Sequence, residues 1–291
     1  MMKKLTYGLI LLLFNSSVFA GGGWTQPKGK GYYKLSEWWI VFDQHFTDEG
    51  KIDPNVTTGL FHTFLYAEHG ITDRFTGIFN GALFSRNYTN NVRSSITNEI
   101  IFKGEELNSI GDIDLTGKYS ISRLGAAFPF SASLLLGIPT GESAGGESGS
   151  LQTGDGEFNQ MLQLDLSKGF SLSESVSFYA NSYVAYNNRT KGYSSEFRYG
   201  LEGGFGLINQ KVWLIGKLFG VESLKNGDNS DWETSNSVFA NNVVYSSYSF
   251  DVNVYVSKHL GFNASYASAF RGELIAAAPS YSVGLFWDTS K

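Results

Sequence analysis

Long runs of two-residue alternation constrain this chain more than any motif in it. Over 111–121, Ile113, Leu115, Gly117, Tyr119 and Ile121 share one face, and Asp112, Asp114, Thr116, Lys118 and Ser120 share the other, which is the period of a β-strand. Further on, Phe130, Ala132, Leu134, Leu136 and Ile138 alternate with Ser131, Ser133 and Gly137, and Leu162, Leu164 and Leu166 alternate with Gln163, Asp165 and Ser167. One face of each strand seeks hydrocarbon and the other seeks water. Such strands either bury their apolar faces against each other in a sandwich, or turn them to lipid while the polar faces line a lumen.

Strand length and connection length separate these two solutions. Strand patterns fall at 31–43, 57–69, 74–88, 111–121, 128–138, 157–167, 175–187, 196–208, 211–222, 242–257, 261–271 and 279–288. The clearest run for about 10–13 residues, enough to cross a bilayer core at a tilt, where soluble strands average about five or six. Short turns at 70–74, 122–127, 168–174, 209–210 and 258–261 alternate with longer polar loops at 44–56, 89–110, 139–156, 188–195, 223–241 and 272–278. An up-and-down barrel produces this rhythm, and a Greek-key sandwich has no reason to. The reading is therefore an all-β chain, a transmembrane antiparallel up-and-down barrel of about twelve strands over 31–291, with both termini on the periplasmic side.

The first residues agree with export. Met1–Ala20 carries Lys3 and Lys4, an apolar core from Leu9 to Phe14, and small residues before Gly21, the pattern of a cleaved signal peptide. The expected destination is the outer membrane, where the partners would be outer-membrane lipid and lipopolysaccharide, with the barrel-assembly machinery acting during biogenesis. That machinery would read a signal other than a terminal aromatic, since Asp-Thr-Ser-Lys291 follows Phe286-Trp287. Gly21–Lys30 remains as a short periplasmic segment, which the sequence reading takes as too short for a hatch. Tyr32, Tyr33, Trp38, Trp39, Tyr119, Tyr186, Tyr199, Tyr266, Tyr281 and Trp287 lie near strand ends as candidates for interfacial girdles.

Composition excludes several classes of function. The chain has no cysteine, so disulfides and thiolate metal sites are out. Its net charge of −5 becomes −7 once Lys3 and Lys4 leave with the signal peptide, which argues against nucleic acid as a partner. No cofactor is expected. His45, His62, His69 and His259 lack the spacing of a helical metal pair, and none is followed two residues on by serine. An enzyme would need a Ser/His or acid pair brought together by the fold. Gly154-Asp155-Gly156 with Glu142 and Glu147 lacks the regular oxygen spacing of a calcium loop.

Function then rests on the lumen. Twelve strands imply a narrow passage, because barrels of about eight strands are filled by side chains and those of about sixteen hold water channels. The polar faces nominate Asp112, Asp114, Lys118, Asp165, Arg198, Glu202, Asp251 and Arg271 as lumen lining. A register that keeps His62 and Glu68 inside also places Phe64 and Tyr66 there, and one that keeps Ser36 and Arg86 inside does the same for Trp38 and Phe84. Phe64, Tyr66 and Phe84 then form an apolar lumen wall suited to a solute with an apolar or aromatic body. The expectation is a non-enzymatic barrel passing small solutes passively. The alternative is a closed barrel acting through its loops at 89–110, 139–156 and 223–241.

The stretch with Gly111-Asp112, Lys118-Tyr119, Leu136-Gly-Ile-Pro139-Thr140-Gly141 and Thr153-Gly154-Asp155-Gly156 resembles the outer-membrane family named for the meta-pathway of phenol degradation. The resemblance is strongest over 111–170. It implies a barrel and a role in small-molecule transport, without a substrate.

Overall fold

The computed structural model describes residues 22–228 and 239–291, and the expected signal peptide lies outside them. No helix occurs among the described residues. The strands are β1 (Gly31–Phe46), β2 (Ile52–Thr72), β3 (Phe75–Thr89), β4 (Val92–Arg93), β5 (Ile100–Phe102), β6 (Glu106–Ser109), β7 (Ile113–Ser120), β8 (Phe130–Ile138), β9 (Asn159–Ser171), β10 (Ser177–Arg189), β11 (Glu196–Leu207), β12 (Val212–Ser223), β13 (Val244–Tyr255), β14 (Leu260–Glu273), β15 (Ile275–Ala276) and β16 (Ser280–Asp288). Each pairs antiparallel with its neighbour, and β1 bonds to both β2 and β16, which closes the sheet. Both β6 and β7 pair with β3 as two pieces of one staff, and β15 is a short strip on β1, so the closed barrel has twelve strands. Outside it, β4 and β5 form a small hairpin in the 89–110 loop.

The alternation read from the sequence decides which way each strand faces. Leu35, Leu115, Leu134, Leu164, Leu201 and Leu285 stand exposed on the outer wall, while Ser131, Asp165, Ser167 and Asn187 are buried inside. An outer wall this apolar is a surface made for lipid. Tyr33, Trp39, Tyr119, Tyr186, Tyr199, Tyr266, Tyr281 and Trp287 share that face, whereas Tyr32 and Trp38 turn inward. Glu37 also faces outward, among these apolar residues, and accepts a hydrogen bond from Thr63 Oγ1 at 2.7 Å.

Two β-bulges overturn parts of the expected register. In β3, Thr63 pairs with Phe84 and Phe64 with Ala82, leaving Leu83 as an extra residue. Everything beyond it changes face. Phe84 is therefore 46% exposed on the outer wall and not part of the lumen wall, and Arg86 points outward to pair with Glu106 at 2.7 Å. In β14, Ser246 pairs with Arg271 and Ser247 with Ala269, so Phe270 is the extra residue. Arg271 accordingly leaves the lumen and binds Glu222 at 2.9 Å on the outer face.

Inside, glycine makes room for rings. A Cβ on Gly204 would meet the Tyr179 ring at 2.2 Å, and one on Gly200 would meet Tyr183 at 2.3 Å. Glycines on β11 thus let tyrosines from β10 lie flat across the wall.

Candidate functional site: the lumen

The lumen divides by height into two unlike halves. At the end with the long loops, the β1–β2 wall is apolar: Ile40, Phe42 and Leu60 are buried together, with Trp38 and Phe239 packed on them. Phe64 shares this inward face and lies 5.1 Å from the His62 ring, while Trp38 stacks on His62 at 5.4 Å. Opposite, Arg189, whose side chain is 4% exposed, bonds Glu196 at 2.8 Å and Asp155 at 2.7 Å. Arg198 joins the same Glu196 at 2.6 Å. Loops fold over this end: Asp112 accepts the N–H groups of Gly141 and Asp155, each at 3.0 Å, and Glu157 accepts those of Lys191 and Tyr193 at 2.7 and 3.1 Å. Burial outweighs the two donors at Asp112 and lifts its pKa to about 6. Asp155 of the Gly-Asp-Gly turn is engaged by Arg189, and no cluster of metal-ligating side chains occurs among the described residues.

The half nearer the short turns holds a cavity of about 360 Å³. Its walls carry Tyr32, Tyr66, Tyr179 and Tyr255 together with the charged side chains Lys34, Glu68, Glu202, Lys217, Asp251, Asp288 and Lys291. Lys217 bridges Asp251 at 3.0 Å and Glu202 at 3.2 Å. The tyrosine hydroxyls of Tyr179 and Tyr255 donate to Glu202 at 2.6 Å and to Asp288 at 2.7 Å. Glu68 accepts from Tyr66 and from Gln26 Nε2 at 2.9 Å.

The N-terminal segment, read from the sequence as too short for a hatch, contributes Gln26 to the wall of this cavity. Residues 22–28 cross the barrel mouth as a strap. Lys118 Nζ donates to the Gly22 carbonyl at 2.9 Å, Gly23 N–H donates to Ser167 Oγ at 2.8 Å, and Gln26 N–H donates to Thr76 Oγ1 at 2.8 Å. Trp24 meets Tyr179 edge-on with centroids 6.2 Å apart, and Lys28 N–H reaches Asp73 at 2.9 Å. The other terminus folds in beside it: Lys291 lies 3.4 Å over the Tyr255 ring and donates to the Gln210 carbonyl at 2.8 Å. Burial lowers the Lys291 pKa to about 8. Gln210 belongs to a turn whose residues Ile208, Asn209 and Gln210 all have left-handed φ, between 52° and 61°.

Most nominated residues lie on the inner face, in different places. Asp114, Lys118, Asp165, Arg198, Glu202 and Asp251 project inward from their strands, Asp112 anchors a loop, and Arg271 is outside. Only Glu202 and Asp251 of the eight nominated polar residues border the cavity, together with Tyr66 from the nominated apolar wall. Sequence reasoning missed Lys34, Lys217 and the inward Tyr32 and Tyr179, although Lys34 shares the face of Ser36 two residues away. The fold also brings together a pair that the sequence does not show: His62 Nδ1 and Ser85 Oγ are 2.6 Å apart across β2 and β3. Ser85 is fully buried, so this pair offers no access to a substrate.

Among solved structures, an outer-membrane channel from Pseudomonas putida F1 is similar, with a TM-score of 0.57 at 14% identity over 93% of this chain and 99% of that one. The β domain of the Bordetella autotransporter BrkA aligns at 0.49 and 13%, covering 90% and 100%, and the NanC porin at 0.47 and 9%, covering 88% and 98%. No family model matches the sequence, and no curated protein matches it. At these identities the likeness is one of fold: a membrane β-barrel of the kind that outer-membrane channels use.

Proposed function

We propose that this chain is an outer-membrane channel that passes small solutes passively, one at a time, through the cavity in its lumen. The observation that carries this reading is a chamber of about 360 Å³ inside a closed barrel, crossed at one end by a strap of a few residues and overlain at the other by loops. Strap and loops alike are held by polar contacts and local packing. The short-turn end, where both termini meet, is the periplasmic side in this proposal, and the leader at Met1–Ala20 delivers the chain there. Outer-membrane lipid with lipopolysaccharide would surround the wall, after insertion by the assembly machinery. The fold shared with the Pseudomonas putida channel supports the class. The lumen rings, among them Phe64 and Tyr66, favour solutes with an apolar or aromatic body over sugars of equal size.

The test is flux through the purified mature protein in liposomes, using a size series of neutral sugars and small aromatics beside empty vesicles. Uptake should fall with size and favour the aromatics. No flux from a folded, heat-modifiable barrel would overturn the channel reading. It would favour a closed barrel acting through its loops, the reading that the buried Arg189 network at the long-loop end supports.

A further inference from the structure

The chamber's hydrogen bonds are nearly complete, and the groups left over define a ligand. Of its charged lining, Lys217 is held by two carboxylates and Lys291 by a carbonyl and a ring, while Glu68, Glu202, Asp251 and Asp288 each accept from at least one donor. Lys34 stands apart. Among the described residues its ammonium has neither an ion pair nor a hydrogen bond, although the residue is partly buried and faces the cavity. Two residues along the same face, the Tyr32 hydroxyl also has no hydrogen-bond partner among the described residues. The same chamber holds the complementary vacancies: Gln26 Oε1 and Asn263 Oδ1 are buried acceptors with no donor, on residues that are 4% and 8% exposed. Gln26 is bonded through its other amide atom to Glu68, whose own donors, Gln26 and Tyr66, are both neutral.

Unused donors and unused acceptors in one chamber point to a ligand with two unlike ends. The balance of charge narrows this. Four carboxylates line the chamber against three ammonium groups. A simple anion would add charge to a wall already negative, and a simple cation would leave Lys34 without an acceptor. We infer that the chamber is a binding site for a small zwitterion of amino-acid size, its carboxylate on Lys34 and Tyr32 and its ammonium toward Gln26 and Glu68. The two poles lie on neighbouring strands, since Tyr32 pairs with Glu68 and Lys34 with Tyr66. Along β1, Tyr32 and Lys34 are about 7 Å apart by strand rise, a span that the flexible lysine stem shortens. The volume holds about a dozen waters' worth of ligand, and the tyrosines supply flat walls for an apolar side chain. This inference rests on the channel reading only for the route by which the ligand enters.

The experiment uses three probes with one body: phenylalanine, N-acetylphenylalanine and phenylalanine methyl ester. Calorimetric titration of the folded barrel in detergent should show phenylalanine binding roughly tenfold or more tighter than either blocked form. Lys34→Met should reduce phenylalanine to the level of the ester, Lys34→Arg should keep most of the preference, and Glu68→Gln should reduce it to the level of the acetylated form. Tyr32→Phe, which removes only a hydroxyl, gives a smaller loss and serves if the lysine variant folds poorly. Trp24→Ala loosens the strap and removes slow entry as a reason for silence. Equal binding by N-acetylphenylalanine would mean an anion site, and equal binding by the ester a cation site; either overturns the inference, as does no binding in both the wild type and Trp24→Ala. Liposome flux separates this from the channel reading. Passage that ignores Lys34, with no binding in micelles, sinks the site and keeps the channel, while Lys34-dependent binding without passage does the reverse.

Discussion

The two halves of the lumen solve the same problem in opposite ways. Near the long loops, the space is filled: Leu60, Phe42 and Phe239 pack as a small hydrophobic core, and Arg189 is buried between two carboxylates. Near the short turns, tyrosines and lysines are propped apart by their own hydrogen bonds, and a cavity remains. The filled half draws its order from burial and from charges that cannot be left unpaired. The hollow half draws it from side chains that satisfy one another around a gap, and the proposed passage of solutes rests on that frame.

Four changes would break or sharpen that contrast. Arg189→Met leaves Asp155 without its cation and Glu196 with only Arg198, and should cost about 3 kcal/mol, read as a lower denaturation midpoint of the heat-modifiable form. If it costs nothing, the loop end is not held by that network. Trp24→Ala removes the edge contact with Tyr179, worth about 1 kcal/mol, and should raise ion conductance roughly fivefold by freeing the strap; unchanged conductance would mean that the strap does not limit passage. The third change is in pH. Because the Asp112 carboxyl titrates at about 6 when folded, above its usual 3.8, its contribution is fully present below about 3.8 and lost as the pH rises to about 6. The wild type should therefore lose stability relative to Asp112→Asn across that window. Parallel curves for the two proteins would rule out the shift. The smallest effect belongs to Arg271→Ala: an outer-face pair contributes about 1 kcal/mol at most, and the reversal potential should stay unchanged, while Arg198→Ala, inside, should move it.

The strands were legible because lipid outside and water inside enforce strict alternation, as in Leu162 to Ser167, and the rhythm of connections then fixed the count. The bulges were not. Leu83 lies in the run Ala82-Leu83-Phe84 and Phe270 beside Ala269, where either face accepts what the sequence offers, so a one-residue slip leaves no trace in polarity. That slip moved Phe84 and Arg271 to the wrong side of the wall. Lys34 and Lys217 were hidden for a related reason. They sit among Tyr32, Trp38, Trp213 and Phe219, rings that look lipid-facing until the partner strands fix the register. The strap has no periodicity at all, and its role comes from what it crosses.

That crossing bears on assembly. The strap's anchors are Thr76, Lys118, Ser131 and Ser167, from β3, β7, β8 and β9, with Trp24 against Tyr179 of β10. No single hairpin supplies them, so a nascent sheet offers the segment nowhere to settle until those staves stand side by side. Though first in the chain, it docks late. Its resistance to a protease added from the short-turn side would report, molecule by molecule, which barrels have finished.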